Sequence, residues 1–333
     1  MANLGRLGWI GIATNSTAGD DDAPDKYIPY LSCDLHEVIE PIEDGAARGI
    51  REDVSSGSST SNEGGPIIGK KRGEGTIECL VDVENAPYLI IPALGTVSTT
   101  TASGEDAVYE HTITRKADNT PKTVSINQYR VADTNEYLYA TVNTQTISFA
   151  DGAVTISTNF VTKFPTTGDG TKSLTEERIF SFKDCSVKFG DTLTAADSSS
   201  AIPVRAFSLT LDNGISGDAI HYLSGSNDVN SISLGDFKLS GSFALFFTTT
   251  TYRDIYRDLD KKSIVLSITG DSIGSAETAE IQFRIPRTYF TDYPIETGIS
   301  GFFVETPTWK AGYDSGQSSS ITCVITNETA SYT

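Results

Sequence analysis

At 333 residues the chain has room for two domains of ordinary size. Its 44 acidic and 25 basic residues give a formal net charge of −19, the opposite sign from that of proteins that bind nucleic-acid phosphates. Thr, Ser and Gly are plentiful while only 12 residues are Pro, so the composition predicts many short strands joined by turns and excludes a mostly helical protein.

The spacing of the cysteines and the length of the apolar runs limit the cellular compartments in which the protein is expected. Cys33, Cys79, Cys185 and Cys323 are widely spaced without a CxxC pair, which favours reduced, buried cysteines over disulfides. No apolar run approaches the roughly 20 residues that a membrane-spanning helix needs. Residues 7–13 are too short and too weakly basic for a signal peptide. We therefore expect a protein that is made in the cytoplasm and does not enter a membrane.

The first long predicted strand covers residues 30–42. Its odd-numbered apolar residues would share one face, and its other face would carry Asp34, His36 and Glu40. Residues 43–66 then lack periodicity and are rich in Ser, Thr and Gly. A loop of this length inside a compact domain is usually functional or disordered.

A strand and a short helix follow in residues 69–95. Ile77, Cys79 and Val81 occupy alternate positions, which predicts a strand with one apolar face. Asn85 is predicted to cap a helix that ends at Gly95. Further strands are predicted at 108–114, 123–130 and 136–144, and a hairpin at 146–161. The sequence at 164–172 is the best candidate for a linker between domains.

The second half repeats the order strand, long loop, strand and helix. Its strands are predicted at 206–215 and 237–247, separated by a loop at 212–231. Tyr252, Ile255, Tyr256 and Leu259 then follow the spacing of an amphipathic helix. Because both copies occur in the same order, we predict a tandem duplication, with a first domain at residues 1–168 that includes an N-terminal arm and a second at 169–333.

The sequence offers little catalytic chemistry. His36, His111 and His221 are isolated and lack zinc-ligand spacing, so each is expected to be a solvent-facing or turn histidine. There is no nucleophile elbow, Walker loop or dinucleotide fingerprint. Carboxylate pairs assembled in space are not excluded by spacing, but surface acids explain the abundant Asp and Glu better. We predict no enzyme activity, no cofactor and no metal.

Several stretches resemble the tail tube proteins of long-tailed, siphovirus-type bacteriophages. The resemblance is carried by residues 27–31, 40–49 and 69–95 in the first half, and by 204–215, 238–247 and 319–327 in the second. It implies β-sandwich or barrel-like domains, each with a short helix, whose inner sheets join those of neighbouring subunits. The joined sheets would form rings that stack into a hollow tube for DNA passage.

The resemblance assigns roles to residues through strand parity and loop position. The inner sheet would use residues 30–42, 75–81, 204–211 and 237–247. The side chains facing the lumen would be Asp34, His36, Glu40, Glu78, Ser208, Thr210, Ser240 and Ser242. The two long loops would contact the adjacent ring through Glu43, Arg48, Arg51, Glu52, Asp53, Asp212, Asp218 and Asp228.

Two domains per chain imply a homotrimeric, pseudo-hexameric ring, because three chains would complete a six-fold wall. The resemblance also implies a location in the virion tail, with the tail tip, tape measure and tail terminator proteins as partners and viral DNA as a transient passenger. The acidity suits solubility, a DNA-repelling lumen or a salty habitat, and the sequence leaves these open. The alternatives to a tube subunit are a β-sandwich surface or carbohydrate-binding protein that uses its long loops, and a hydrolase with carboxylates from both domains.

Overall fold

The computed structural model describes residues 7–42, 66–102, 104–105, 107–150, 152–168, 173–175, 177–215, 221, 225–296 and 301–332. Strands account for 52% of the chain and helices for 9%, which confirms the prediction of a mainly β protein. The described strands, numbered along the chain, form one hydrogen-bonded network of 20 strands. Two long strands each take part in two sheets, so we describe the network as three sheets around a common hydrophobic core.

Sheet 1 is a long antiparallel sheet built from both halves of the chain. In spatial order its strands are β3 (Ser32–Cys33) and β4 (His36–Ile42), β5 (Ile67–Leu80), β10 (Thr155–Thr162), the C-terminal part of β9 (Thr134–Phe149), β13 (Val204–Asp212), β14 (Lys238–Phe246), β18 (Val304–Glu305) and β19 (Thr308–Ala311). The far edge is formed by the C-terminal part of β16 (Glu277–Asp292) with β17 (Ile295–Glu296).

Sheets 2 and 3 cover the other side of the core. Sheet 2 contains, in order, β12 (Cys185–Gly190), β15 (Lys262–Ile273), the N-terminal part of β16, β20 (Thr322–Asn327), β7 (Tyr109–Arg115) and β6 (Gly95–Thr101). Sheet 3 contains β2 (Lys26–Ile28), β1 (Trp9–Thr14), β8 (Val124–Tyr129), the N-terminal part of β9 and β11 (Thr166–Thr167).

The period-two pattern of sheet 1 determines which side chains enter the core. Ile77 on β5, Leu209 on β13 and Phe243 on β14 are buried, while their sequence neighbours on each strand are only half-buried. Because successive side chains point to opposite faces of a strand, one face of sheet 1 packs into the core and the other remains accessible.

Helix α1 (Pro87–Leu94) is buried along its whole length and contacts β9, β7 and β1. It begins at Pro87 after an N-cap at Ala86, and not at the predicted cap Asn85. The carboxylate of Asp82 accepts hydrogen bonds from the backbone of Glu84 and Asn85 just before the helix. The helix ends as predicted at Gly95, whose φ of 106° is readily accessible only to glycine.

Helix α3 (Thr251–Asp258) follows β14 in the second half, after an N-cap at Thr250. Tyr252, Ile255 and Tyr256 pack against the core as expected. Leu259 was predicted to share that stripe but is 65% exposed, because it ends the helix in the left-handed conformation and points away.

The region between the halves contains two short helical segments. A 3-10 turn (Phe182–Asp184) precedes β12, and Ser181 donates to Asp184. Helix α2 (Leu193–Ser198) follows β12 and is capped by Thr192. Six residues are too few for a clear helical period.

Strands from the two halves are hydrogen-bonded to one another in both main sheets. In sheet 1, β9 pairs with β13 over six residues. In sheet 2, β7 pairs with β20, again over six residues. The domain boundary at 168/169 therefore remains a prediction, and the two halves share the main core cluster. None of the helices in the described ranges is long and apolar enough to cross a membrane.

Candidate assembly surfaces

The accessible side of sheet 1 is lined with hydroxyl-bearing side chains, and we call it the hydroxyl face. Thr210 lies between Thr146 and Ser240 in the strand register, and the hydroxyl oxygens of Thr146 and Thr210 are 3.1 Å apart. One complete row crosses the sheet through Ser32, Glu78, Ser157, Thr146, Thr210, Ser240 and Lys310. The row beside it carries Ser148, Ser208 and Ser242.

The polar residues predicted to face the lumen from the first long strand and from β5 lie on this same face. Glu78 accepts a hydrogen bond from the Ser32 hydroxyl at 3.1 Å. Asp34 accepts one from the backbone N–H of Thr76, and His36 lies opposite Glu74. The predicted parity of residues 30–42 thus agrees with the pairing of β3 and β4 with β5.

Cations on the hydroxyl face differ in their surroundings. Arg72 donates to Glu40 at 2.5 Å and to Glu74 at 2.9 Å, and its hydrogen bond holds the pKa of Glu40 below its usual range. Lys238 lies opposite Asp212 in the strand register, whereas Lys310 lies between Ser240 and Tyr289. Because two carboxylates hold Arg72, it retains little positive potential for a passing anion.

The two long loops differ in how much of them can be compared with prediction. Glu43, Arg48, Arg51, Glu52, Asp53 and Asp218 lie outside the described residues. Asp212 ends β13 and accepts a hydrogen bond from the backbone of Gly214. Asp228 accepts one from the backbone of Phe164 at 2.8 Å. Asn227 bonds to the backbone of Ile68 on β5, so this part of the second loop lies against the first half of its own chain.

Sequence analysis missed part of the hydroxyl face. Residues 136–144 and 146–161 were predicted as strands, but they were not assigned to the inner sheet. Thr146 and Ser148 alternate with the buried Ile147 and Phe149, and this alternation was a usable signal. Their position beside β13 depends on a contact between residues about 60 apart in sequence.

Buried titratable groups lie away from the hydroxyl face. His111 is fully buried, in contrast to the solvent-facing or turn position predicted for it. Its Nε2 is 2.9 Å from the carbonyl oxygen of Thr329, and burial lowers its pKa. Glu305, beneath α3, accepts a hydrogen bond from the Tyr293 hydroxyl, and burial raises its pKa to about 7. All four cysteines are free thiols.

No group of three or more His, Cys, Asp or Glu in the described part of the chain could hold a metal ion. The buried groups are also explained by packing: His111 contacts the ring of Tyr332, and Glu305 faces tyrosines under α3. The hydroxyl face and the edges of sheet 1 are therefore the features that call for a functional explanation.

Comparison with protein families agrees with this architecture. The profile described as "Phage tail tube protein" matches residues 5–333, which is nearly the whole chain. A comparison with curated proteins gave no match. The chain belongs to the phage tail tube protein family and is a structural component of the virion tail.

Proposed function

We propose that three copies of this chain form a closed ring and that stacked rings make the hollow tube through which viral DNA passes. The chain would be made in the host cytoplasm and would assemble with tail tip, tape measure and tail terminator proteins. DNA would be a transient, non-specific passenger. The protein would need no cofactor and would have no catalytic role.

One observation supports this proposal: the strands of sheet 1 follow one another as two groups of four, which we interpret as two copies of one unit. In the first unit, Glu78 on β5 lies between Ser32 on one side and Ser157 on the other. In the second, Ser242 on β14 lies between Ser208 and Thr308. Two equivalent units side by side supply one third of a six-fold wall.

The hydroxyl face supports its assignment to the lumen. A wall that DNA must slide along should offer few unpaired cations, because each Lys or Arg that neutralises a phosphate adds affinity. Rows of hydroxyl groups, with Arg72 bound to Glu40 and Glu74 and Lys238 opposite Asp212 in the register, favour such a wall. The binding-module alternative receives less support, since Tyr252 packs in the core and Tyr256 stacks on Tyr293 at 6.0 Å.

Electron cryomicroscopy of the assembled protein tests the ring. The expected result is a hollow tube with three chains and six similar units around the axis. Six chains around the axis would overturn the trimer, and persistent monomers in the presence of tail-tip seeds would overturn the tube subunit itself.

A charge substitution tests the lumen. Thr210→Lys and Ser240→Lys should leave tail length unchanged in electron micrographs but slow DNA ejection from phage that carry them. Asp258→Asn, at an exposed position on α3, changes the net charge by the same single unit, so it is the matched control and should eject DNA normally. Equal ejection by all three variants would place the hydroxyl face outside the lumen.

A further inference from the structure

We infer that the joint between chains is an antiparallel strand pair in which residues 31–36 of one copy pair with residues 290–295 of a second copy, with Leu31 opposite Ile295. This inference rests on the proposed ring, and it names the surface and the register that would close it. The argument comes from the strand registers within one chain.

The two units of sheet 1 are aligned here on Glu78 and Ser242, because each lies nine residues before the first residue of the helix that follows its strand. In this alignment their partners Ser32 and Ser208 correspond as well, and Leu31 therefore corresponds to Phe207. On the other side, Ser157 corresponds to Thr308.

The last strand of each unit follows from the same registers. Thr146 lies opposite Ser157 in the first unit, and Asp292 lies opposite Thr308 in the second. Three residues farther on, Phe149 corresponds to Ile295, which lies opposite Glu305. The end of β16 together with β17 is therefore the second unit's version of β9.

Within the chain, the last strand of the first unit is joined to the first strand of the second. The β9–β13 register sets Phe149 opposite Phe207 and Thr146 opposite Thr210. Applied to the equivalent strands at the two ends of the chain, the same register sets Ile295 opposite Leu31, and Asp292 opposite Asp34.

Burial distinguishes the joint made within the chain from the edges that remain. Phe149 and Phe207 are 4% and 2% exposed and stack with their ring centroids 5.7 Å apart. Their equivalents Ile295 and Leu31 are 36% and 55% exposed. Large apolar side chains at these positions are buried in one joint and accessible at the other, as expected if a second copy completes the contact.

A receiving surface lies beside Leu31. An open groove there is lined by the apolar side chains of Leu31, Leu80, Leu174 and Ile179 and also by polar residues, among them Asp82, Asn85 and Glu177. In the described residues, the hydrogen-bonded strand partner of β3 and β4 is β5 alone. The outer edges of both terminal strands thus have the backbone groups and the apolar surface that a strand from a second copy would cover.

The inferred register also places Asp34 directly opposite Asp292. Like charges opposite each other weaken a strand pair, and salt screens their repulsion. Ring assembly should therefore require less protein at high ionic strength, and part of that salt dependence should come from this pair.

Disulfide cross-linking tests the register. Opposed residues in an antiparallel pair have Cα atoms about 4.5–5.5 Å apart, within the range of a disulfide. In a Cys33→Ser background, which removes the nearest native thiol, the double variant Leu31→Cys/Ile295→Cys should oxidise to covalent trimers in assembled tubes. The matched control, Leu31→Cys/Glu296→Cys, places the second thiol on the opposite face and should give at least tenfold less product.

Mixing the single variants tests direction. Leu31→Cys mixed with Ile295→Cys should give covalent dimers and nothing larger, because each chain then has one engineered thiol at one end. Tubes that form without this cross-link, or that cross-link equally well in the Glu296 control, would overturn the register and leave the tube function intact. Wild-type protein that forms neither rings nor tubes would overturn the proposed function instead.

A charge variant provides a second test if the cysteine variants fail to fold. Asp292→Asn should lower the protein concentration needed for assembly at 0.1 M NaCl severalfold and flatten the salt dependence, in accordance with the roughly 10 Å screening length at that salt. Asp258→Asn changes the net charge equally, on the exposed end of α3, and should leave the wild-type salt dependence in place. Identical behaviour of the two variants would contradict an Asp34–Asp292 contact.

Discussion

Helices α1 and α3 each follow a strand of sheet 1, yet their surroundings are opposite. All eight residues of α1 are buried, whereas no residue of α3 is fully buried. The segment after β20 accounts for part of this difference: Tyr332 packs edge-on against Tyr88 of α1, with ring centroids 5.2 Å apart. The comparison shows that two helices of equal length can follow strands of one sheet and still differ in burial, one inside the core and the other at its surface.

The largest expected effect comes from emptying the core beside α1. Ile91→Ala should lower the free energy of unfolding by about 3 kcal/mol, because Ile91 is completely buried and its removal leaves a cavity. Ile255→Ala on α3 should cost only about 1 kcal/mol, since that side chain is half-buried. Urea unfolding of both variants measures the difference, and equal losses would contradict the contrast between the helices.

The next largest effect on stability should come from Tyr332, which packs over α1. Tyr332→Ala should destabilise the protein by about 2–3 kcal/mol, because its ring is buried against Tyr88 and His111. Tyr332→Phe keeps the ring and loses only the hydrogen bond from Asn327, at a cost of about 1 kcal/mol. If the two variants unfold at the same urea concentration, the ring does not support α1.

Two buried groups near the helices, Glu305 and His111, should make the stability of the protein depend on pH in opposite directions. The raised pKa of Glu305, about 7, means that its contribution to stability is present below about pH 4.5 and is lost as the pH rises through 7. The free energy of unfolding of the wild-type protein should fall by on the order of 1 kcal/mol between pH 5 and 8, and Glu305→Gln should abolish this fall. Glu296→Gln, on the adjacent strand, is the charge control and should keep the wild-type slope.

His111, near α1, should give a pH dependence of stability with the opposite sign. Burial lowers its pKa, so its contribution to stability is present above the usual histidine pKa of 6.5 and is lost as the pH falls below that value. His111→Gln should flatten the acid side of the stability profile. Unfolding measured from pH 5 to 8 resolves both effects, and slopes of the same sign in the two variants would contradict the assigned causes.

The smallest expected effects concern the helix ends. Gly95 ends α1 with φ 106°, so Gly95→Ala should cost about 1 kcal/mol. Leu259 ends α3 at φ 52°, where glycine fits better, so Leu259→Gly should stabilise the protein by about 0.5–1 kcal/mol. Thermal unfolding measures both shifts, and destabilisation by Leu259→Gly would show that the exposed leucine makes a compensating contact.

Local patterns predicted much of this fold. Alternation of apolar residues predicted β5 and β14, and helical spacing of apolar residues predicted α3. Strand parity predicted that Glu78, Ser208, Thr210, Ser240 and Ser242 share one face. The burial of His111 could not be foreseen, because Asn327 and Thr329, its hydrogen-bond partners, are more than 200 residues away. The pairing of β9 with β13 was likewise hidden, since strand order depends on distant contacts that a local period does not encode.

Strand β20 has a consequence for the order of events during synthesis. It lies between β7 and β16 in sheet 2, yet it follows every other described strand in the sequence. While the ribosome is still adding residues 322–327, β7 and β16 lack their common neighbour. Sheet 2 can therefore be completed only after these residues have been made, and pairing at such long range makes folding slow. A chain that stops before Thr322 would keep two unpaired strand edges.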